Sequence, residues 1–402
     1  MIIINATIFT SEQPEIIQNG FIEISDSKII RIGTMDTLAT IPKGKDVYDI
    51  SGCYVLPGLI DVHTHLGIIG DSLGFEGDDV NEITDPSTPH LRALDAVNPM
   101  DICFRDAYSA GVTAVVTGPG SSNAISGQML AMKTYGNCID DMILKAPVAI
   151  KFALGENPKS EYHFKNLAPE TRMATAAIIR EALKKAKHYM EALDAAQQDE
   201  ELDEPEFDFK CEALLPLLKR EIPAHFHAHR ADDIFTAVRI AKEFSIKYSL
   251  VHCTEGHLVA KELNAKKENG ETISAFVGPI LCDRGKPELK NLETMNAKVL
   301  AENEISVSII TDHSEVPIQY LMLSAMIAVK DGLPKSEAIR AITINPAKAI
   351  GLDHKIGSIK VGKDADLVIY DGDPFDFYSK VKQVIIDGQE VYLAKGGEAK
   401  CE

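Results

Sequence analysis

IPAHFHAHR (residues 222–230), ADDIFTAVRIAKEF (231–244) and KYSLVHCT (247–254) follow one another almost without a gap. The first and third are short apolar runs with polar tips. The second has apolar residues at helical spacing and opens on Asp232 and Asp233, acids suited to the positive end of a helix. Strand, short helix, strand is a βαβ unit, and such units build parallel sheets.

The alternation extends both ways. VLPGLIDVHTHL (55–66), GVTAVVTGPG (111–120) and APVAIKFALG (146–155) read as strands upstream, TISAFVG (272–278) and ISVSIITDH (305–313) downstream. Helical spacing fills 99–110, stopped by Gly111, and continues in 168–197, in 257–270 with Gly270 as the stop, and in 290–303. Seven or eight units in about 300 residues favour an α/β fold of the (β/α)8 TIM-like type over an open doubly wound sheet. No G-x-G-x-x-G follows the first strand, which counts against a dinucleotide site. The acidic run 198–208 (QDEELDEPEFD) reads as a solvated loop.

Both ends differ from this middle. MIIINATIF (1–9), QNGFIEISDSKIIRIG (18–33), GSIKVGKDADLVIYDGDP (357–374) and VKQVIIDGQEVYL (381–393) are short Val/Ile-rich runs punctuated by Gly, Asn and Asp. They predict one composite β-sandwich domain from residues 1–52 and 356–402, around a barrel at 53–355.

Composition narrows the function. The 402 residues are 45% hydrophobic, enough for a large core, and carry a net charge of −19. That charge argues against nucleic-acid and anionic-membrane partners and leaves a small-molecule substrate. No window approaches a transmembrane helix and the N-terminus has no secretory pattern. Seven scattered cysteines without C-x-x-C fit reduced thiols in a cytoplasm.

Chemistry in a parallel barrel sits at the C-terminal strand ends. The residues found there are His63 and His65, Lys151 with Glu156 beyond it, His225, His227 and His229, His252, and Asp312. Residues i and i+2 of a strand share a face, so His63 and His65 can grip one cation. Three aligned histidines at 225, 227 and 229 exceed what a core needs. We expect His227 to be the ligand, His229 to lie nearer the substrate and His225 to lie deeper. Asp312, after so apolar a run, calls for a partner or a metal. His313 points to the other face in a supporting role, and His257 reads as a surface or cap residue. Glu76, Glu82 and Asp85 read as a solvated acidic loop. Lys151 has three readings: a carbamate bridging two cations, a bystander to Glu156 as the anionic ligand, or a holder of substrate carboxylate.

PGLIDVHTHLG (57–67) with its β-rich lead resembles the opening of the amidohydrolase superfamily. The tail NPAKAIGLDHKIGSIKVGKDADLVIYDGDP (345–374) is similar to the closing segment of the imidazolonepropionase-related branch. The resemblance spans essentially the whole chain. It implies one or two divalent ions, with Zn ahead of Fe and Mn. His63, His65 and Asp312 would hold the buried ion, and His227 and His252 the second. Lys151 would be carboxylated between them. The segment KFALGENPK (151–159) departs from the usual lysine pattern, which brings Glu156 into contention as the bridge.

The resulting expectation is hydrolysis of an amide, cyclic amide or small peptide by metal-activated water. Asp312 acts as general base and then acid, and His252 assists the oxyanion if it is not a ligand. Arg230 and Arg284 are candidate binders of a substrate carboxylate, against an ordinary surface role. The alternatives are a heterocycle deaminase and, behind it, a non-catalytic scaffold. Superfamily members are commonly homo-oligomers.

Overall fold

The computed structural model describes residues 1–38, 40, 46–71, 73–267 and 272–395. The expected stop at Gly270 and Cys401 lie outside the described residues.

Eight strands form one sheet whose order follows the chain: β1 Leu59–Thr64, β2 Val112–Thr117, β3 Ile125–Lys133, β4 Ile143–Ala153, β5 Ala224–Ala228, β6 Tyr248–His252, β7 Ser274–Val277 and β8 Ser306–Ile309. The β4 to β8 run is parallel, as is the β1–β2 pair. The sheet nearly closes on itself. The His65 amide donates to the His313 carbonyl at 2.7 Å, joining the segments just after the first and last strands.

One strand departs from the expected alternation. The sequence pattern marks no strand between residues 120 and 146, yet Ile125–Lys133 is a strand antiparallel to both β2 and β4. No crossover helix separates β2 from β3; only the short 118–124 segment does, and a connection that short can join only antiparallel neighbours. The apolar run Met129–Met132 gave no alternation to reveal it, because both faces of this strand are buried.

Helices cover the outside. Ile102–Ser109 starts where the Asp101 side chain accepts from the Cys103 amide, and Arg172–Gln198 starts where the Thr171 side chain accepts from Ala174. The helix expected at 257–270 is instead a 3-10 turn, Gly256–Leu258, and a short helix, Ala260–Asn264. That expected at 290–303 contracts to Asn296–Glu302.

The second sheet draws on both ends of the chain. Its order is Gln389–Leu393, Val381–Ile386, Leu367–Tyr370, Tyr54–Pro57, Ile2–Phe9, Ile16–Ser25 and Lys28–Thr34, with Val47–Asp49 also beside Ile2–Phe9. The joint between the ends is the antiparallel pair Leu367–Tyr370 and Tyr54–Pro57. The N-terminal share therefore runs to Pro57, past the expected boundary at residue 52. Ile3, Ile8, Ile22, Val55, Leu367 and Ile385 form the core of this sheet.

The expectation of uniformly reduced thiols fails at buried Cys53, which is disulfide-bonded. Sequence spacing says nothing about how close two Cα atoms come in space, and that distance decides pairing. Cys103, Cys138, Cys211, Cys253 and Cys282 are free. No helix among the described residues is long and apolar enough to cross a membrane.

Candidate metal centre

Strand pleating selects which residues face the interior. On β5, Phe226 and Ala228 pack in the outer layer beneath the helices, which turns His225, His227 and His229 inward. His252 ends β6 and Asp312 lies just past β8. All four histidines and Asp312 are buried or nearly so.

Two donor groups result. The ring nitrogens of His227, His229 and His252 lie within 4.8 Å of one another, and His63, His252 and Asp312 form a second set by the same measure. Asp312 Oδ1 is 3.3 Å from His63 Nε2 and 3.4 Å from His65 Nε2. Lys151 Nζ is 2.9 Å from His63 Nε2. His252 belongs to both sets and so lies between them.

Hydrogen bonds behind the rings fix the tautomers. His65 Nδ1 donates to the Gly118 carbonyl at 2.7 Å, and His252 Nδ1 to the Gly278 carbonyl at 2.8 Å. A proton on Nδ1 leaves the Nε2 lone pair aimed at the cavity, the arrangement usual for a metal-binding imidazole. Asp61 anchors the first strand from beneath: its carboxylate accepts from the amides of His63 and Thr311 and from the Thr311 hydroxyl.

The electrostatics follow from burial. Desolvation pushes His63, His227 and His229 well below the ordinary histidine range and His252 down to about 4, so all are neutral donors. Burial brings the Lys151 ammonium down to about 8, within reach of the neutral amine. Burial also opposes ionisation of Asp312, but His252, His63 and His65 outweigh it and hold the carboxyl well below its usual value. His252 and Asp312 both sit in left-handed backbone, at φ of 69° and 53°, a strained conformation that clusters at functional sites.

The donor set fits a divalent ion. Neutral imidazoles and carboxylate are borderline-to-hard ligands suited to Zn, Fe or Mn. Asp312 Oδ1, which faces His63 Nε2 and His65 Nε2, is buried without a hydrogen-bond partner, a cost that an ion among these side chains would offset.

A cavity of about 560 Å³ opens onto this cluster, lined by His65, Lys151, His227, His229, His252 and Asp312. Other expected residues lie elsewhere. His225 sits deeper, its ring 5.0 Å from that of Phe276. Glu156 begins the helix Glu156–His163 and is in neither donor group. Arg230 turns to Asp232 at 2.8 Å, and Arg284 to the Leu292 carbonyl at 2.6 Å; neither lines the cavity. A nearby acid satisfies each guanidinium more cheaply than reaching inward. His313 Nδ1 accepts from the Ile318 amide, and His257 bonds the Thr254 carbonyl. Glu82 caps its own turn at Thr84, Asp85 pairs with Lys210, and Glu76 is exposed.

Glu288 and Lys286 escaped the sequence reading. Glu288 is 2% exposed and its Oε1 lies 3.7 Å from His229 Nε2 and 3.9 Å from His227 Nε2. Burial raises its pKa to about 7. Its other oxygen accepts from the Glu156 amide at 3.0 Å. It is the middle residue of the short 3-10 turn Pro287–Leu289, too short for any periodicity to mark a buried acid. Lys286, which lines the cavity, bonds Asn157 Oδ1 at 3.2 Å.

The model of the Amidohydrolase family matches residues 54–391, from the strand before the H-x-H to the last strand of the second sheet. The chain belongs to the amidohydrolase family. It is therefore an enzyme, a hydrolase of carbon–nitrogen bonds. Amidohydrolase tasK of Hapsidospora irregularis is 26% identical over 92% of this chain, but the alignment covers 39% of that protein. An imidazolonepropionase of Staphylococcus aureus (strain MRSA252) is 25% identical over 94% of this chain and 91% of its own length. The crystal structure of an amidohydrolase from Thermotoga maritima MSB8 superposes with a TM-score of 0.92 at 37% identity, covering 98% of this amidohydrolase and all of that chain.

Proposed function

We propose that this amidohydrolase uses divalent metal to hydrolyse an amide, cyclic amide or small peptide at the mouth of a (β/α)8-type barrel whose third strand runs backwards. One observation carries the reading: donors from position 63 to position 312 converge on a single cavity. His63, His65 and Asp312 would hold one ion, and His227, His229 and His252 a second. Lys151, beside His63 and readily deprotonated, would join them as a carbamate; its place in the cavity favours it over Glu156. A bound ion of this kind lowers the pKa of water towards about 7 and polarises a carbonyl.

The protein's own groups do the rest. Asp312 is ionised and its buried Oδ1 has no donor, so it can take a proton from attacking water and return it to the leaving nitrogen. Apart from Lys151, Lys286 is the described cation lining the cavity, and we assign it, in place of Arg230 and Arg284, to an anionic substrate group. The two β-rich ends and residues 58–355 would then act as scaffold and catalytic unit.

Metal analysis of the purified protein, with hydrolysis of N-acyl amino acids, dipeptides and cyclic amides, tests this reading. Bound Zn, Fe or Mn and acid release from one of these classes are expected, with Asp312→Asn lowering kcat by about 10²–10⁴-fold. Absence of metal, with none taken up, would refute it. Ammonia release from aminated heterocycles would replace it with deamination. Carbon-13 bicarbonate should give a carbamate resonance that Lys151→Ala removes.

A further inference from the structure

The opposite end of the barrel carries a second cavity. It opens where β4, β6 and β7 begin, near Lys145, Tyr248 and Ser274, and encloses about 470 Å³. Lys145 and Lys151 are on the same strand, so the two cavities are separated by about 20 Å at the strand rise of 3.3 Å per residue. The volume is within the range of small-molecule pockets.

Its charge is opposite to that of the molecule. The whole chain has 41 Lys and Arg against 60 Asp and Glu in 402 residues. Of the 20 described residues lining this cavity, seven are Lys or Arg and one, Glu221, is acidic. A random sample would give about two cations and three acids. Lys267 is engaged by Glu304 and Arg220 by the Ser245 carbonyl. Lys145 reaches only towards the Ile350 carbonyl, at 3.4 Å. Lys247, Lys266 and Lys348 form no ion pair with any described residue. Lys145 is half-buried; desolvation pulls its pKa down, and the charge of Lys247 adds to the effect. Among the described residues Glu221 is the one acid on a wall of seven cations, and gathered like charges cost free energy that an anion would offset.

We infer that this cavity binds a short oligophosphate, the Lys145, Lys247, Lys266 and Lys348 ammoniums neutralising successive phosphates. Lysine suits the role as a point charge that needs no fixed approach geometry. The hydroxyls of Tyr248, Ser249 and Ser274 on the cavity wall supply neutral donors. A long polyanion such as nucleic acid is disfavoured, because the net charge of −19 surrounding the concave patch would repel it.

Equilibrium titration of the metal-loaded enzyme with inorganic triphosphate at low salt tests the site, with ATP and orthophosphate as parallel arms. Saturable triphosphate binding is expected, falling at least tenfold in Lys247→Glu/Lys348→Glu and unchanged in Lys187→Glu, on the helix Arg172–Gln198, which contributes no described residue to the cavity wall. Orthophosphate should bind more weakly than triphosphate. ATP binding as tightly as triphosphate identifies a nucleotide source, and triphosphate alone a free oligophosphate. Because the double variant leaves every candidate metal ligand in place, its loss of binding excludes chelation of active-site metal. Protection of Lys145, Lys247 and Lys348 from acetylation by triphosphate, read by mass spectrometry, is the second expected result. No saturable binding, binding equal in the double variant, or no protection would overturn the inference. Metal content and hydrolysis should be unaffected by the double variant, so a failure here is separable from failure of the hydrolase reading.

Discussion

The hydroxyl of Thr311 donates to Oδ2 of Asp61 at 2.6 Å, joining the two ends of the barrel sheet in the fully buried interior. Asp61 lies two residues before His63 and Thr311 one before Asp312, so this bond sets how far apart the first histidine and the terminal aspartate stand. Thr311→Val keeps the shape and removes the donor. It should cost about 1–3 kcal/mol, because a buried carboxylate oxygen is left under-satisfied. Thermal unfolding checks the stability, and kcat should fall more than KM rises if the spacing of His63 and Asp312 matters to the reaction.

Glu288 and Glu156 offer a paired test of which acid serves the histidine cluster. Glu288 faces His227 and His229, whereas Glu156 contributes its backbone amide to Glu288. Glu288→Gln should weaken metal binding about 10–100-fold, the usual cost of losing a group that orients ligands. Glu156→Gln should leave it nearly unchanged. Metal retention against a graded chelator is the measurement, and equal losses in both variants would contradict the placement.

Lys133, on β3, is buried against Asp364, Asp366 and Asp387 from the C-terminal end of the chain. This contact ties the barrel to the second sheet. Removing one member of a buried charge cluster leaves the others uncompensated, so Lys133→Met should destabilise by about 3–5 kcal/mol. Adding Asp366→Leu should restore part of that loss. Denaturant unfolding of both variants decides it.

Acid stability has a local contributor in Asp208. Its side chain bonds Lys185 at 2.6 Å and accepts from the Lys210 and Cys211 amides at the start of the helix Phe209–Leu218. The Lys185 bond, followed by the Cys211 amide, lowers its pKa to about 2. A depressed carboxylate stabilises the fold above its unfolded pKa of about 3.9, and that stabilisation is lost as the pH falls through about 2. Asp208→Ala should be about 1 kcal/mol less stable at neutral pH. The difference from the parent should shrink between about pH 4 and pH 2. A constant difference across that range, measured by thermal unfolding, would contradict this assignment.

Much of the site was legible in the chain because a strand's geometry is local. Alternate residues share a face, so H-x-H and H-x-H-x-H announce clustered imidazoles before any fold is known, and an acid at the end of an apolar strand announces a partner. The composite second sheet was legible for the same reason, from short Val/Ile runs at both ends. Three-dimensional packing alone decided the rest. The reversal of β3 left no trace in periodicity, since a strand buried on both faces reads the same in either direction. Arg230 and Arg284 were drawn away by nearby acids and carbonyls, while Lys286 and Glu288 arrived from a 3-10 turn and the residue before it, too short for any pattern to mark. Which polar side chain finds which partner depends on distances between residues remote in sequence, and the fold alone sets those distances.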